Sequence, residues 1–129
     1  MTYKEFIELE VPNDCQNKTY LNFHFNDKDP TDLRTVSGGI VYNGFFLLSY
    51  DKHEMVYFKN FEICLVPDGP SIKGNYYFLR PLDKVKITYL YHTKKQMINL
   101  INELKEKRQY WEKQKNSKEK IKKLEMDFK

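Results

Sequence analysis

As far as His92 apolar positions fall in short strand-like segments, several of them alternating with polar ones at a period of two, and the period then becomes helical. Alternation marks a strand with one buried face, because successive side chains leave a pleated backbone on opposite sides. In IELEV (7–11) apolar and acidic residues alternate. In YLNFHF (20–25), Leu21, Phe23 and Phe25 share a face opposite Tyr20, Asn22 and His24, and NDKDP (26–30) is a polar turn cluster. GGIVYNGFFLLSY (38–50) sets Asn43-Gly44 between two apolar runs. Asn and Gly both tolerate the positive φ that a type I′ hairpin turn requires, so this stretch predicts a hairpin. Further strands are expected over 54–58 and 61–67, parted at Lys59-Asn60, and over 75–81 and 84–92, with a loop across 68–74. In the last strand Val85, Ile87, Tyr89 and Tyr91 are placed on one face.

At Thr93 the pattern changes. Thr93 and Gln96 have the spacing of a capping box, in which each side chain bonds the other residue's backbone N–H at a helix start. Met97, Leu100, Ile101, Leu104 and Trp111 then recur at helical spacing, as a stripe that would pack on the sheet. Residues 112–120 contain no apolar side chain, and Asn116-Ser117 within them is a candidate break, with Ser117 capping a second helix. Ile121, Leu124 and Phe128 form a second short stripe.

These elements predict an α+β chain: an antiparallel, meander-like sheet or small barrel of about six to eight strands, then a long C-terminal helix with a candidate break near Asn116. Residues 1–93 would form the β domain and 94–129 a basic helical segment packed on it or on a partner, within one domain overall.

Composition refines this picture in three ways. With 40% hydrophobic and 16% aromatic residues over 129 positions, the chain has the material for its own core. It has no alanine, only three arginines (Arg34, Arg80, Arg108), and abundant Lys, Asn, Ile, Tyr and Phe, a usage that points to an AT-rich genome, such as a low-GC bacterium, its phage or mobile elements, or an AT-rich virus. The net charge of +4 is divided unevenly: residues 94–129 carry +6 and residues 1–93 carry −2. The start, MTYKEFIELE, is acidic and lacks a basic region followed by an apolar one, and no apolar run approaches a membrane span, so a cytoplasmic protein is expected. In that compartment Cys15 and Cys64 would be reduced thiols.

Catalytic signatures are lacking. His24, His53 and His92 fall in no metal-ligand spacing, so no metal or cofactor is expected. Ser37-Gly38-Gly39 fits neither a nucleophile elbow nor a phosphate loop, and its glycines are better explained by a bulge or bend. The stretch from Lys73 to Arg80 matches an RNA-recognition strand only at Lys73, Gly74 and Tyr77.

The function expected is therefore a non-enzymatic protein-binding module: a small phage or mobile-element accessory protein that modulates or inhibits a host complex in the host cytoplasm, for example as a counter-defence protein. Trp111, Ile121, Leu124 and Phe128 would contact the partner or a second copy in a homodimer. One alternative is non-specific nucleic-acid binding through Lys73, Tyr77, Lys105, Lys107, Arg108, Lys113, Lys115, Lys118, Lys120, Lys122 and Lys123, with few arginine forks to read bases. Another is a small-ligand or nucleotide binder with an aromatic pocket.

Overall fold

The computed structural model describes residues 1–21, 36–51, 54–74 and 76–127. A short helix, α1 (Tyr3–Ile7), is followed by five strands, β1 (Cys15–Leu21), β2 (Val36–Tyr42), β3 (Phe45–Asp51), β4 (Glu54–Leu65) and β5 (Tyr77–Thr88). A 3-10 turn over Tyr89–Tyr91 leads into one long helix, α2 (Lys94–Asp127). The strands lie in the order β1-β2-β3-β4-β5, each antiparallel to its neighbour, so among the described residues the sheet is an open meander of five strands rather than a barrel or a sheet of six to eight.

The shortfall in strands has local causes. The expected strand at 7–11 is not one: Ile7 ends α1, and 8–14 join no ladder. Thr2 caps α1, with the Glu5 N–H donating to Thr2 Oγ1 at 3.1 Å and the Thr2 N–H donating to Glu5 Oε1 at 3.4 Å. The alternation there still reports burial, with Leu9 in the core and Glu8 and Glu10 exposed. The expected breaks at Lys59-Asn60 and Leu82-Asp83 are not turns either. They face one another across β4 and β5, where Phe58 pairs with Lys84 and Asn60 with Leu82 while Lys59 and Asp83 are skipped. Asp83 takes a positive φ of 54°, and Asn60 Nδ2 donates to its carboxylate at 2.8 Å. Both strands therefore run on past a shared irregularity. β5 stops at Thr88, which separates Tyr89, fully buried, from Tyr91, exposed; the expected common face does not extend to them. The expected strand over 20–25 and turn over 26–30 lie almost wholly outside the described residues, as do His24, His53, Arg34 and Phe128.

The β2–β3 hairpin is as expected. Asn43 and Gly44 have φ of 49° and 79°, and Tyr42 pairs with Phe45 across the turn. The register shifts between Ile40 and Val41: Ile40 pairs with Leu48 and Val41 with Phe46, leaving Leu47 without a partner. Such a bulge breaks the strict alternation of faces. It lets Leu47 and Leu48 both enter the core.

The core joins α1, the sheet and the first turns of α2. Phe6 stacks on Tyr89 (centroids 5.1 Å apart) and meets Tyr50 edge-on (4.8 Å). Ile40, Leu48 and Met55 from the strands surround Met97, Ile101 and Leu104 from the helix. The α2 start is the expected capping box, with the Gln96 N–H donating to Thr93 Oγ1 at 3.1 Å and the Thr93 N–H to Gln96 Oε1 at 2.9 Å. The expected break near Asn116 does not occur. Across 112–120, Arg108 pairs with Glu112 at 2.9 Å, and Lys115 lies 3.7 Å from Glu112 and 4.0 Å from Glu119. Ion pairs three or four residues apart support a helix that lacks an apolar stripe. The sheet anchors it on both sides, through Trp111 on Phe61 and Glu119 on Tyr77. No helix among the described residues is long and apolar enough to cross a membrane.

Candidate binding cleft

β3 and β4 pair at only four positions, from Asp51–Glu54 to Leu48–Tyr57. β3 begins three residues earlier, at Phe45, and β4 continues to Leu65 against β5 alone. Past Tyr57 the two strands part, and a cleft of about 340 Å³ opens between them under α2. Because it is a split in the sheet, side chains of both strand parities reach it. Phe45, Phe46 and Leu47 come from β3, Phe58 and Phe61 from β4, and Tyr77, Phe78, Leu79 and Pro81 from β5. Helix α2 closes one side with Leu104, Lys107, Arg108, Glu112 and Lys115.

Phe46 is set there by Gly39, while Gly38 lies against the Lys18 carbonyl and the Tyr50 ring. The Phe46 ring lies so near Gly39 that a Cβ on that residue would sit 2.5 Å from Phe46 Cδ1. Glycine at 39 therefore makes room for the ring, a role related to the bend that the sequence suggests.

Arg108 is the polar centre of the cleft. Its guanidinium carbon lies 4.0 Å from the Phe45 ring centroid and 5.3 Å from that of Phe61. Attraction between a cation and the face of a ring favours this placement against both. Its side chain is only 12% exposed, Nη2 donates to Glu112, and Nε is buried without a hydrogen-bond partner. Lys107 lies 3.8 Å from Glu103, and Lys118 lies over the Tyr77 ring at 5.7 Å. Each cation of the lining thus has a carboxylate near it: Glu103 for Lys107, Glu112 for Arg108, and Glu112 and Glu119 for Lys115. Apolar walls with one charged side suit an apolar group that carries a polar one.

The structure brings only some of the sequence-derived site residues together. Tyr77, Lys107, Arg108 and Lys115 share the cleft, with Lys118 beside it. Lys105 is committed elsewhere, in an ion pair with Asp14 beside the Tyr42 ring. That hydrogen bond holds the Asp14 carboxyl below, and the Lys105 ammonium above, their ordinary values. Lys73 is exposed in the loop between β4 and β5, and Lys113, Lys120 and Lys123 face solvent, with Lys122 half-exposed. Trp111 packs within the chain, edge-on to Phe61 at 6.4 Å. It is thereby separated from Ile121 and Leu124, which are 57% and 51% exposed further along α2. The phenylalanines of the cleft escape sequence reasoning; the one signal available is an aromatic content too rich, and too often paired, for the core alone.

Burial pushes the Cys15 thiol up, and both Cys15 and Cys64 are free. His92 Nδ1 lies 3.0 Å from the Thr88 carbonyl oxygen. Among the described residues no three His, Cys, Asp or Glu side chains are grouped so as to hold a metal ion.

Set against protein-family models, curated proteins and solved structures, the chain matches none.

Proposed function

We propose that this is a non-enzymatic protein-binding module that takes an extended segment of its partner into the cleft between β3, β4 and α2. One observation carries the reading. From Phe58 to Leu65, β4 has β5 on one side and, among the described residues, no backbone partner on the other. An unpaired edge offers a row of N–H and C=O groups to an incoming strand, and proteins that keep such an edge long and apolar use it or aggregate through it. Here the edge borders a cleft of the right size to take the side chains of such a strand. Ile121 and Leu124 form the second contact that the proposal assigns to the partner. The setting, a phage or mobile-element accessory protein acting on a host complex, is part of the proposal and rests on composition.

Amide hydrogen exchange at low protein concentration tests the edge. Alternate amides within Phe58–Leu65 should exchange much faster than those of Glu54–Tyr57, and should become protected when an extended peptide binds. Equal protection of the two halves of β4 in the free protein would mean that the chain covers its own edge, and the reading would fall.

A second reading, a small aromatic ligand carrying a polar group, is favoured by the cleft volume of about 340 Å³, which lies within the usual range for ligand pockets. Such a ligand would protect few β4 amides, which separates the two.

A further inference from the structure

We infer that the extended segment taken along β4 is β4 of a second copy, so that two chains pair edge to edge about a two-fold axis as a homodimer. The inference rests on the protein-binding reading above and names its partner.

The direction of the β4 backbone groups shows what the edge offers. The Val66 N–H donates to the Tyr76 carbonyl oxygen at 2.8 Å, and Leu65 pairs with Tyr77. In an antiparallel ladder the backbone groups of successive residues point to opposite sides. Even-numbered residues of β4 therefore face β5, and Lys59, Phe61, Ile63 and Leu65 direct N–H and C=O away from it. Met55 and Tyr57, of the same parity, lie opposite β3, whereas the four beyond have no backbone partner among the described residues. Helix α2 does not cover them. The Tyr77 N–H points away from β4 and donates to Glu119 at 3.1 Å. From Arg108, against Phe45 and Phe61, α2 thus crosses to the outer side of β5 and draws away from the open edge.

The edge suits a copy of itself. Phe61-Glu62-Ile63-Cys64-Leu65-Val66 is rich in strand formers, carries one charge and contains no Pro or Gly, the signature of segments whose identical copies pair as strands. None of the lysines, prolines or bulges that blunt an exposed edge falls within it, and its one charge, Glu62, is already paired with Arg80 of β5. Antiparallel pairing about a two-fold axis brings the same row of N–H and C=O groups against itself, and uses up both edges. The area is sufficient. Phe45, Phe46, Phe58 and Leu65 border the open edge and are between 37% and 54% exposed. Together they show about 350 Å² at roughly 200 Å² per side chain, so two copies bring about 700 Å² of apolar surface. The smallest specific interfaces, about 1,200 Å² in total and a little over half apolar, contain about that much. Charge does not oppose the pairing, because Lys107, Arg108 and Lys115 each have a carboxylate of their own helix beside them.

Sedimentation equilibrium of the full chain over a wide concentration range, with amide exchange at both ends of that range, tests the pairing in the parent, in Ile63→Pro and in Leu65→Lys. Proline at 63 removes an N–H that points to the seam and none that bonds β5. Circular dichroism checks both folds. The expected result is a dimer whose dissociation constant rises at least about tenfold in each variant, since a symmetric seam loses every contact twice. At high concentration the amides of Lys59, Phe61, Ile63 and Leu65 should become protected, while those of Asn60, Glu62 and Cys64, bonded to β5, stay protected throughout. A dimer that leaves the four amides exchanging freely, or that both variants leave intact, puts the contact elsewhere and overturns the inference. Species larger than a dimer overturn it too, because an edge that closes on itself cannot grow. A monomer at every concentration with the four amides exchanging fast overturns the pairing of copies and leaves the edge to another chain. A monomer with the four protected overturns the docking reading as well.

Discussion

Replacing Ile101 and Ile121 separately by alanine makes one chemical change at two points of one helix. Ile101 is fully buried between α2 and the sheet. Its truncation removes three buried carbons, about 2.4 kcal/mol of transfer free energy at about 0.8 kcal/mol each, and the cavity left behind raises the cost to about 3 kcal/mol. For 129 residues the unfolding entropy is about 0.27 kcal/mol per kelvin, so Tm should fall by about 11 °C. Ile121, at 57% exposure, loses little burial, and alanine is the better helix former, so its variant should stay within about 0.5 kcal/mol of the parent. Calorimetry and urea unfolding at two protein concentrations measure both. A cost below about 1 kcal/mol at Ile101 would refute the packing of α2 on the sheet. A fall in Tm of more than about 4 °C for Ile121→Ala would refute the exposed helix end, and a dependence on concentration would trace the covering surface to another copy.

Gly39→Ala places a methyl group 2.5 Å from Phe46 Cδ1 and 2.6 Å from the Leu48 carbonyl oxygen, and should cost about 1–3 kcal/mol in urea unfolding while shifting Phe46 in the cleft. Asn43→Ala should cost about 1 kcal/mol because φ is positive at 49°, whereas Asn43→Gly should be nearly neutral by the same assay. Lys105 lowers the folded-state pKa of Asp14 through a hydrogen bond, so this pair stabilises above the ordinary carboxylate value of about 4 and is lost as pH falls through the lowered value. Asp14→Asn should therefore flatten part of the stability profile below about pH 4, with Glu5, lowered in the same direction by its bonds to Thr2, supplying part of what remains.

Features set by neighbours in sequence were legible, and those set by distant neighbours were not. Asn43-Gly44 and Thr93–Gln96 act within four residues, and both formed as read. Thr2-Tyr3-Lys4-Glu5 is an equally local capping signal, but the alternation that follows it, a true burial pattern without a ladder, masked it. The breaks at Lys59-Asn60 and Leu82-Asp83 were misread because their meaning lies in their facing each other across two strands. The polar run 112–120 resembled a hinge, since neither the sheet contact at Glu119 nor the one at Trp111 is visible in the run itself. The cleft was hidden for the same reason: it depends on where β3 leaves β4 and on a bulge at Leu47 that turns adjacent side chains toward the same interior. Four of the basic and aromatic residues that line it were nonetheless on the sequence-derived site list, Lys107, Arg108 and Lys115 for their charge and Tyr77 for its match to an RNA-recognition strand, none for its position.

The unbroken course of α2 makes it a splint. Its fully buried contacts end at Leu104, and it touches the sheet again at Trp111 on Phe61 and at Glu119 on Tyr77, a span of fifteen residues or about 22 Å at 1.5 Å per residue. The cleft lies beneath that span, under Lys107, Arg108 and Glu112. Widening the gap between β3 and β4 would therefore have to bend the helix or break one of these contacts, so a continuous rod braces the sheet where its own strands part. The eight residues beyond Glu119, about 12 Å, carry Ile121 and Leu124 as an overhang.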